Sequence, residues 1–201
     1  MPATTAQDLL TVALDPGSGP SPEQGELSLA LAGAELIDLL GLEAAGLDEQ
    51  DRILPRLRPT VADPLLDRAA ADLRPEPPYE SVEDWLWRRG RGLAAAYRAA
   101  RDPGDAPGHR HRPGRRAPAG SPARPDPAGR WATREPVLTT LAAAAGIATP
   151  DGPGDLPDIA DDAVATVLAA VHDAVRELDA VRRRRSIEGA AFDNIWRGGG
   201  L

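Results

Sequence analysis

The stretch Val164-Ala-Thr-Val-Leu-Ala-Ala-Val-His-Asp-Ala-Val-Arg-Glu-Leu-Asp-Ala-Val181 decides the fold class. Val164, Val167, Leu168, Val171, Val175, Leu178 and Val181 recur at three- and four-residue steps, which lays them on one face of an α-helix for roughly five turns. The stripe runs into Arg182 to Arg185, cations that the carboxyl end of a helix favours. Ser186 then reads as the cap of a fresh helix carrying Ile187, Phe192, Ile195 and Trp196.

The same period continues upstream. Thr4 or Thr5 caps a first helix bearing Leu9, Leu10, Val12, Ala13 and Leu14, which stops at Asp15-Pro16-Gly17. Leu27, Leu31, Ala34, Ile37 and Leu40 form the stripe of a second. Gly33 in its middle costs about 1 kcal/mol against alanine, and the close approach of a neighbouring helix is the structural return. Asp63 followed by Pro64 is a cap with proline at the first helical position, ahead of Leu65, Leu66, Ala69, Ala70 and Leu73. Ser81 opens a helix holding Trp85, Leu86, Leu93, Ala96 and Tyr97, and Thr133 opens another with Val137, Leu138, Leu141 and Ala145, closed by Gly146. Only Arg52 to Arg58 reads as extended, and Pro55 reduces it to an edge strand or a loop. The expected fold is therefore mainly α: a bundle of about six helices with at most a short β-hairpin, one domain over residues 1–201.

Composition limits that core. Leu, Val, Ile and Phe total 40 of 201 residues, close to the ~20% below which chains tend to stay unfolded, so the apolar residues must be concentrated. They are absent from Asp102 to Arg130, where 7 Pro, 5 Gly and 6 Arg stand among 29 residues. That segment is expected to be a disordered, flexible Pro/Gly/Arg-rich insert within the domain. With 6 Arg against 3 Asp it carries +3 of a total of −8, which leaves −11 on the rest of the chain. All 23 basic residues are arginine, a bias fitting a GC-rich genome before any site chemistry. Without cysteine, disulfides, thiolate nucleophiles and cysteine-ligated zinc are excluded. No apolar run reaches the ~18 residues of a membrane span and Met1 to Gln7 lacks the basic start of a signal peptide, so a cytoplasmic protein with at most peripheral membrane contact is expected.

Catalytic apparatus is not visible. His109-Arg110-His111 has two-histidine spacing but lies in the insert, with no helix to fix a third ligand, so no metal is expected. His172 reads as a partly buried helix residue, and Glu80, Glu83 and Asp84 as first-turn carboxylates favoured by the helix dipole. No GxSxG, phosphate loop or dinucleotide fingerprint occurs, and neither an enzyme nor a cofactor is expected. Basic clusters are what remains. Arg88, Arg89 and Arg91 follow Trp85 and Trp87, and Arg88 and Arg91, three apart, fall on one side of a helix, where two guanidinium groups could hold a phosphate beside the Trp87 ring. Arg110, Arg112, Arg115 and Arg116 form a mobile basic patch. A nucleic-acid partner is disfavoured by the charge of −8 and the lack of a reading helix.

Four segments in order, Asp8-Leu-Leu-Thr-Val-Ala-Leu-Asp15, Leu29-Ala-Leu-Ala-Gly-Ala-Glu-Leu36, Thr60-Val-Ala-Asp-Pro-Leu-Leu-Asp67 and Asp84-Trp-Leu-Trp-Arg-Arg-Gly-Arg-Gly-Leu93, resemble the Golgi phosphoprotein 3 family. The likeness covers Asp8 to about Arg101, and the helices from Trp131 fit only in pattern. The resemblance implies a helical, non-catalytic adaptor that binds phosphatidylinositol 4-phosphate at the membrane surface. The family's lipid pocket uses an aromatic and several arginines. Here Ala32 stands before Gly33 where the family has arginine, and Trp87 and Gly90 stand at later arginine positions, with Arg88 and Arg91 one residue away. The family's apolar inserting hairpin falls on Asp102 to Arg130, which holds nothing apolar enough to enter hydrocarbon. The expected function is an adaptor weakly bound to anionic phospholipid headgroups through Arg88, Arg91, Trp87 and Arg89, with a protein partner of unknown identity. The alternative is a protein-binding helical module that has lost the lipid site. Self-association into a homo-oligomer is left open.

Overall fold

The computed structural model describes residues 4–15, 21–56, 61–101, 135–148 and 159–198, with side chains up to Glu188. The insert expected at 102–130, with Arg110, Arg112, Arg115, Arg116 and both of its histidines, lies outside the described residues.

Helix α1 (Thr5–Ala13) begins where the Thr4 side chain accepts from the Gln7 amide. It lies against α2 (Gln24–Gly41), the hub of the molecule. Helix α2 is buried on nearly all sides, so its apolar residues do not form a single stripe: Leu27, Leu29, Leu31, Leu36 and Leu39 are all in the core. A two-stranded antiparallel hairpin follows, β1 (Ala45–Leu47) against β2 (Ile53–Pro55), with Gly46 opposite Leu54. The Asp48 carboxylate shapes its turn by accepting from the Gln50 and Arg52 amides. Pro55 sits on an outer strand, the one place in a sheet that tolerates its missing N–H.

Helix α3 (Pro64–Ala71) starts on Asp63, which accepts from the Leu65 and Leu66 amides, with proline at the first position as the sequence predicts. Helices α4 (Val82–Arg89) and α5 (Leu93–Arg101) follow, then α6 (Pro136–Ala144) and α7 (Asp162–Gly198). Gly33 marks the crossing of α2 and α7. A Cβ there would lie 2.3 Å from Val171 Cγ2, so the glycine admits the valine methyl.

The mainly α architecture with one short hairpin is what the sequence predicts, and the described residues hold seven helices. Three boundaries differ. The helix expected to run from Ser81 through Tyr97 is two, broken at Gly90-Arg91-Gly92, where Gly92 takes φ +71°. The helix expected from Thr133 is instead capped by Glu135, whose carboxylate accepts from the Leu138 amide ahead of Pro136. The two helices expected around Ser186 are one continuous rod. Arginine is a good helix former and neither proline nor a left-handed residue interrupts Arg182–Ser186, so nothing forces a break. His172 is exposed on α7 rather than partly buried.

Candidate functional site

Ser81 caps α4 by accepting from the Asp84 amide, which fixes where the helix starts and therefore which way its arginines leave it. Arg88 turns back along the helix. Its Nε and Nη2 donate to the two carboxylate oxygens of Glu80 at 2.7 and 2.6 Å, and Nη2 also reaches the Asp72 carbonyl at 3.2 Å. The guanidinium lies over the Trp85 ring, 5.1 Å from its centroid. Glu80 is a buried carboxylate satisfied by this bidentate pair rather than a first-turn decoration of α4. The hydrogen bonds to Glu80 hold Arg88 protonated above its ordinary range.

Arg89 points elsewhere, into the body. Nε and Nη2 donate to the Glu35 carboxylate at 2.7 and 2.9 Å, Nη1 to Asp72 at 3.0 Å and Nη2 to the Leu65 carbonyl at 3.1 Å. Tyr97 donates its hydroxyl to Glu35 at 3.0 Å. One fully buried carboxylate on α2 thus holds α4 and α5, and Arg89 extends the tie to α3 through the Leu65 carbonyl. Burial pushes the Glu35 carboxyl upward, opposed by the bonds from Arg89 and Tyr97, and burial beside Glu35 raises the Tyr97 phenol. Sequence reasoning passed over Glu35. Its signal was a lone acid inside Leu31–Ile37, on a helix whose neighbours on both sides are apolar and which therefore has no wet face to offer it.

Arg91 does not share a face with Arg88. The three-residue rule holds only within a helix, and α4 ends at Arg89, with the Gly90 amide closing onto the Leu86 carbonyl. Gly90 is required there, since a Cβ would stand 2.6 Å from that carbonyl and 3.4 Å from the Ser28 carbonyl of α2. The corner is fastened to α2 by the Ala94 amide, which donates to Ser28 Oγ at 3.1 Å. Arg91 thereby comes to line an open hollow of about 370 Å³ with Trp87, Gln24, Gly25, Ser28 and Leu178. Among the described residues Arg91 makes no ion pair, whereas Arg88 and Arg89 are both committed to acids.

The amino end of α2 forms another side of this hollow. Its first residue follows Glu23, whose side chain makes no capping bond. Glu23 is drawn instead to Arg182 of α7, which also donates to Glu26 at 3.0 Å. Gly25 permits that crossing, since a Cβ would lie 2.7 Å from Arg182 Nη2. Burial raises the Glu26 carboxyl, with Asp179 adding to the effect and Arg182 opposing it. Among the described residues the hollow therefore offers one guanidinium without an ion pair, an indole and the amino end of a helix whose own acids, Glu23 and Glu26, are engaged by Arg182, a set able to hold an anion. Ala32, which stands before Gly33 on α2, is fully buried, and its carbonyl accepts from the Trp85 indole at 3.2 Å. No group of three or more His, Cys, Asp or Glu side chains suited to a metal occurs among the described residues, and no described helix is long and apolar enough to cross a membrane.

No curated protein and no solved structure matches this chain. The family model of Golgi phosphoprotein 3 (GPP34) matches residues 6–102. That span runs from α1 to the end of α5 and contains the Glu35 cluster, Trp87 and Arg91. Residues 6–102, just under half of the chain and the part that builds most of the hollow, are similar to the Golgi phosphoprotein 3 family.

Proposed function

We propose that this protein is a non-catalytic adaptor that binds the phosphate of an anionic phospholipid headgroup, weakly, in the hollow between the amino end of α2 and the α4–α5 corner. The observation that carries this reading is the contrast among three neighbouring arginines. Arg88 and Arg89 are spent on Glu80 and Glu35, while Arg91, which makes no ion pair among the described residues, stands with Trp87 at the hollow's edge. Trp87, half-buried, offers the amphipathic ring that suits a headgroup interface. One cation and one aromatic give marginal, reversible attachment, so the membrane-bound fraction is small at physiological salt.

Flotation at low salt with vesicles containing phosphatidylinositol 4-phosphate tests this. Arg91→Gln loses about tenfold in affinity, the worth of one charge-assisted hydrogen bond. Arg88→Gln floats like wild type. Equal flotation of Arg91→Gln and wild type refutes the site.

A second reading, a protein-binding module that has lost the lipid site, is favoured by the neutralisation of Arg88 and Arg89 and by Ala32 in the place of an arginine. A stoichiometric partner recovered without lipid, together with no flotation of wild type, would establish it.

A further inference from the structure

Helix α7 is far longer than the body it packs on. At 1.5 Å per residue its 37 residues span about 55 Å. Its buried residues end at Val175, with Leu178 the last to pack against the core, and every residue from Arg183 to Glu188 is exposed. Among the described residues Arg182 is the last tether, turned onto Glu23 and Glu26 of α2. A helix turns about 100° per residue, so the face centred on Ile187 looks away from the one that carries Arg182. Arg183 and Arg184 precede Ile187 by four and three residues and so flank it on that outward face. Ile187 is 70% exposed, the most exposed large apolar side chain of the described residues. Neither Arg183 nor Arg184 makes an ion pair among the described residues. From 183 to 198 the chain has four arginines against Glu188 and Asp193, a charge of +2 on a protein of −8. Ile195 recurs two turns after Ile187 in the sequence of the same helix.

We infer that this projecting arm is a docking element for an anionic lipid surface, Arg183 and Arg184 meeting lipid phosphates and Ile187 entering the boundary between headgroups and chains. An apolar side chain bracketed by long cationic ones is the pattern of a helix lying in that boundary. A nucleic acid would match the arginines but has no use for a solvent-facing isoleucine. A second copy aligned in parallel would set like charges against each other. The arm acts independently of the hollow: it reads surface charge, whereas the hollow reads one headgroup.

The test uses the full chain and vesicles of phosphatidylcholine with phosphatidylserine, at low salt. Arg183→Gln with Arg184→Gln lowers vesicle affinity about 30-fold, at the worth of a basic side chain near an anionic leaflet. Ile187→Gln lowers it about tenfold, and Arg68→Gln, exposed on α3 away from the arm and the hollow, leaves it unchanged. Glutamine keeps the helix, and circular dichroism of each variant checks that it has. The inference is overturned if wild type binds pure phosphatidylcholine equally, or if both arm variants bind like wild type. It also falls if the arginine variant loses duplex RNA and vesicles alike while Ile187→Gln loses neither. Arm variants that fail on phosphatidylserine, beside an Arg91→Gln that still binds phosphatidylinositol 4-phosphate, would keep the arm and remove the hollow; the reverse pattern would do the opposite.

Discussion

Replacing Arg89 by methionine strips a fully buried carboxylate of its bidentate partner while keeping an apolar stem in the same space. Glu35 is then left with the Tyr97 hydroxyl alone. An uncompensated buried charge costs about 3–5 kcal/mol, a large part of the stability of a domain this size. With a urea slope of about 2 kcal/mol per molar, the unfolding midpoint falls by about 2 M. Removing the whole cluster together, Glu35→Leu with Arg89→Met and Tyr97→Phe, leaves nothing polar stranded and returns the midpoint to near wild type. The pH dependence has a definite sign. Burial already holds the Glu35 carboxyl above its unfolded value, and losing Arg89 raises it further. The folded state then keeps a proton that the unfolded chain has given up, so the deficit is absent below the ordinary carboxylate range and grows as pH rises through it. The Arg89→Met deficit is therefore smaller at about pH 5 than at about pH 8. A loss under about 1 kcal/mol at both, or a triple variant no better than the single, would refute the reading of Glu35 as a buried, charge-compensated tie.

Arg88→Gln costs about 1–3 kcal/mol by urea unfolding, less than Arg89→Met: it strands the buried Glu80 carboxylate, but Arg88 is 39% exposed, so water can reach the vacated side. Gly90→Ala drives a methyl against the Leu86 carbonyl and destabilises by about 2 kcal/mol, with headgroup affinity lost alongside because the corner moves. Gly92→Ala meets no atoms but must hold φ +71°, and costs about 1 kcal/mol in the same assay. Gly33→Ala pushes on the Val171 methyl and separates α2 from α7, which lowers the thermal midpoint by an amount matching about 1–3 kcal/mol.

The helical class, an extended edge segment at Pro55 and the caps at Asp63, Ser81 and one of Thr4 and Thr5 were legible because each depends on neighbours in sequence, whereas the partner strand Ala45–Leu47 was not. The break at Gly90-Arg91-Gly92 was legible in kind but outvoted by the apolar period running from Trp85 to Tyr97, which two helices meeting at a corner satisfy as well as one. The arginine cluster was visible as a cluster and misread as a pair. Which guanidinium is free depends on Glu35, which lies 54 residues from its partner Arg89, and on where α4 ends. Neither fact is local. Glu80 was readable only as a dipole ligand until the fold brought Arg88 back over it. Arg182 to Arg185 reads as a uniform basic run, yet the first is absorbed by α2 and the next three are exposed, a division set by where the body stops.

The most direct test of the account is a titration of the isotope-labelled protein with the soluble headgroup of phosphatidylinositol 4-phosphate, followed by amide NMR. The account predicts shifts confined to Gln24–Ser28, Trp87 and Gly90–Ala94, abolished in Arg91→Gln and retained in Arg88→Gln. Shifts centred instead on Glu80, Arg88 and Asp72, or a response that survives Arg91→Gln, would contradict it.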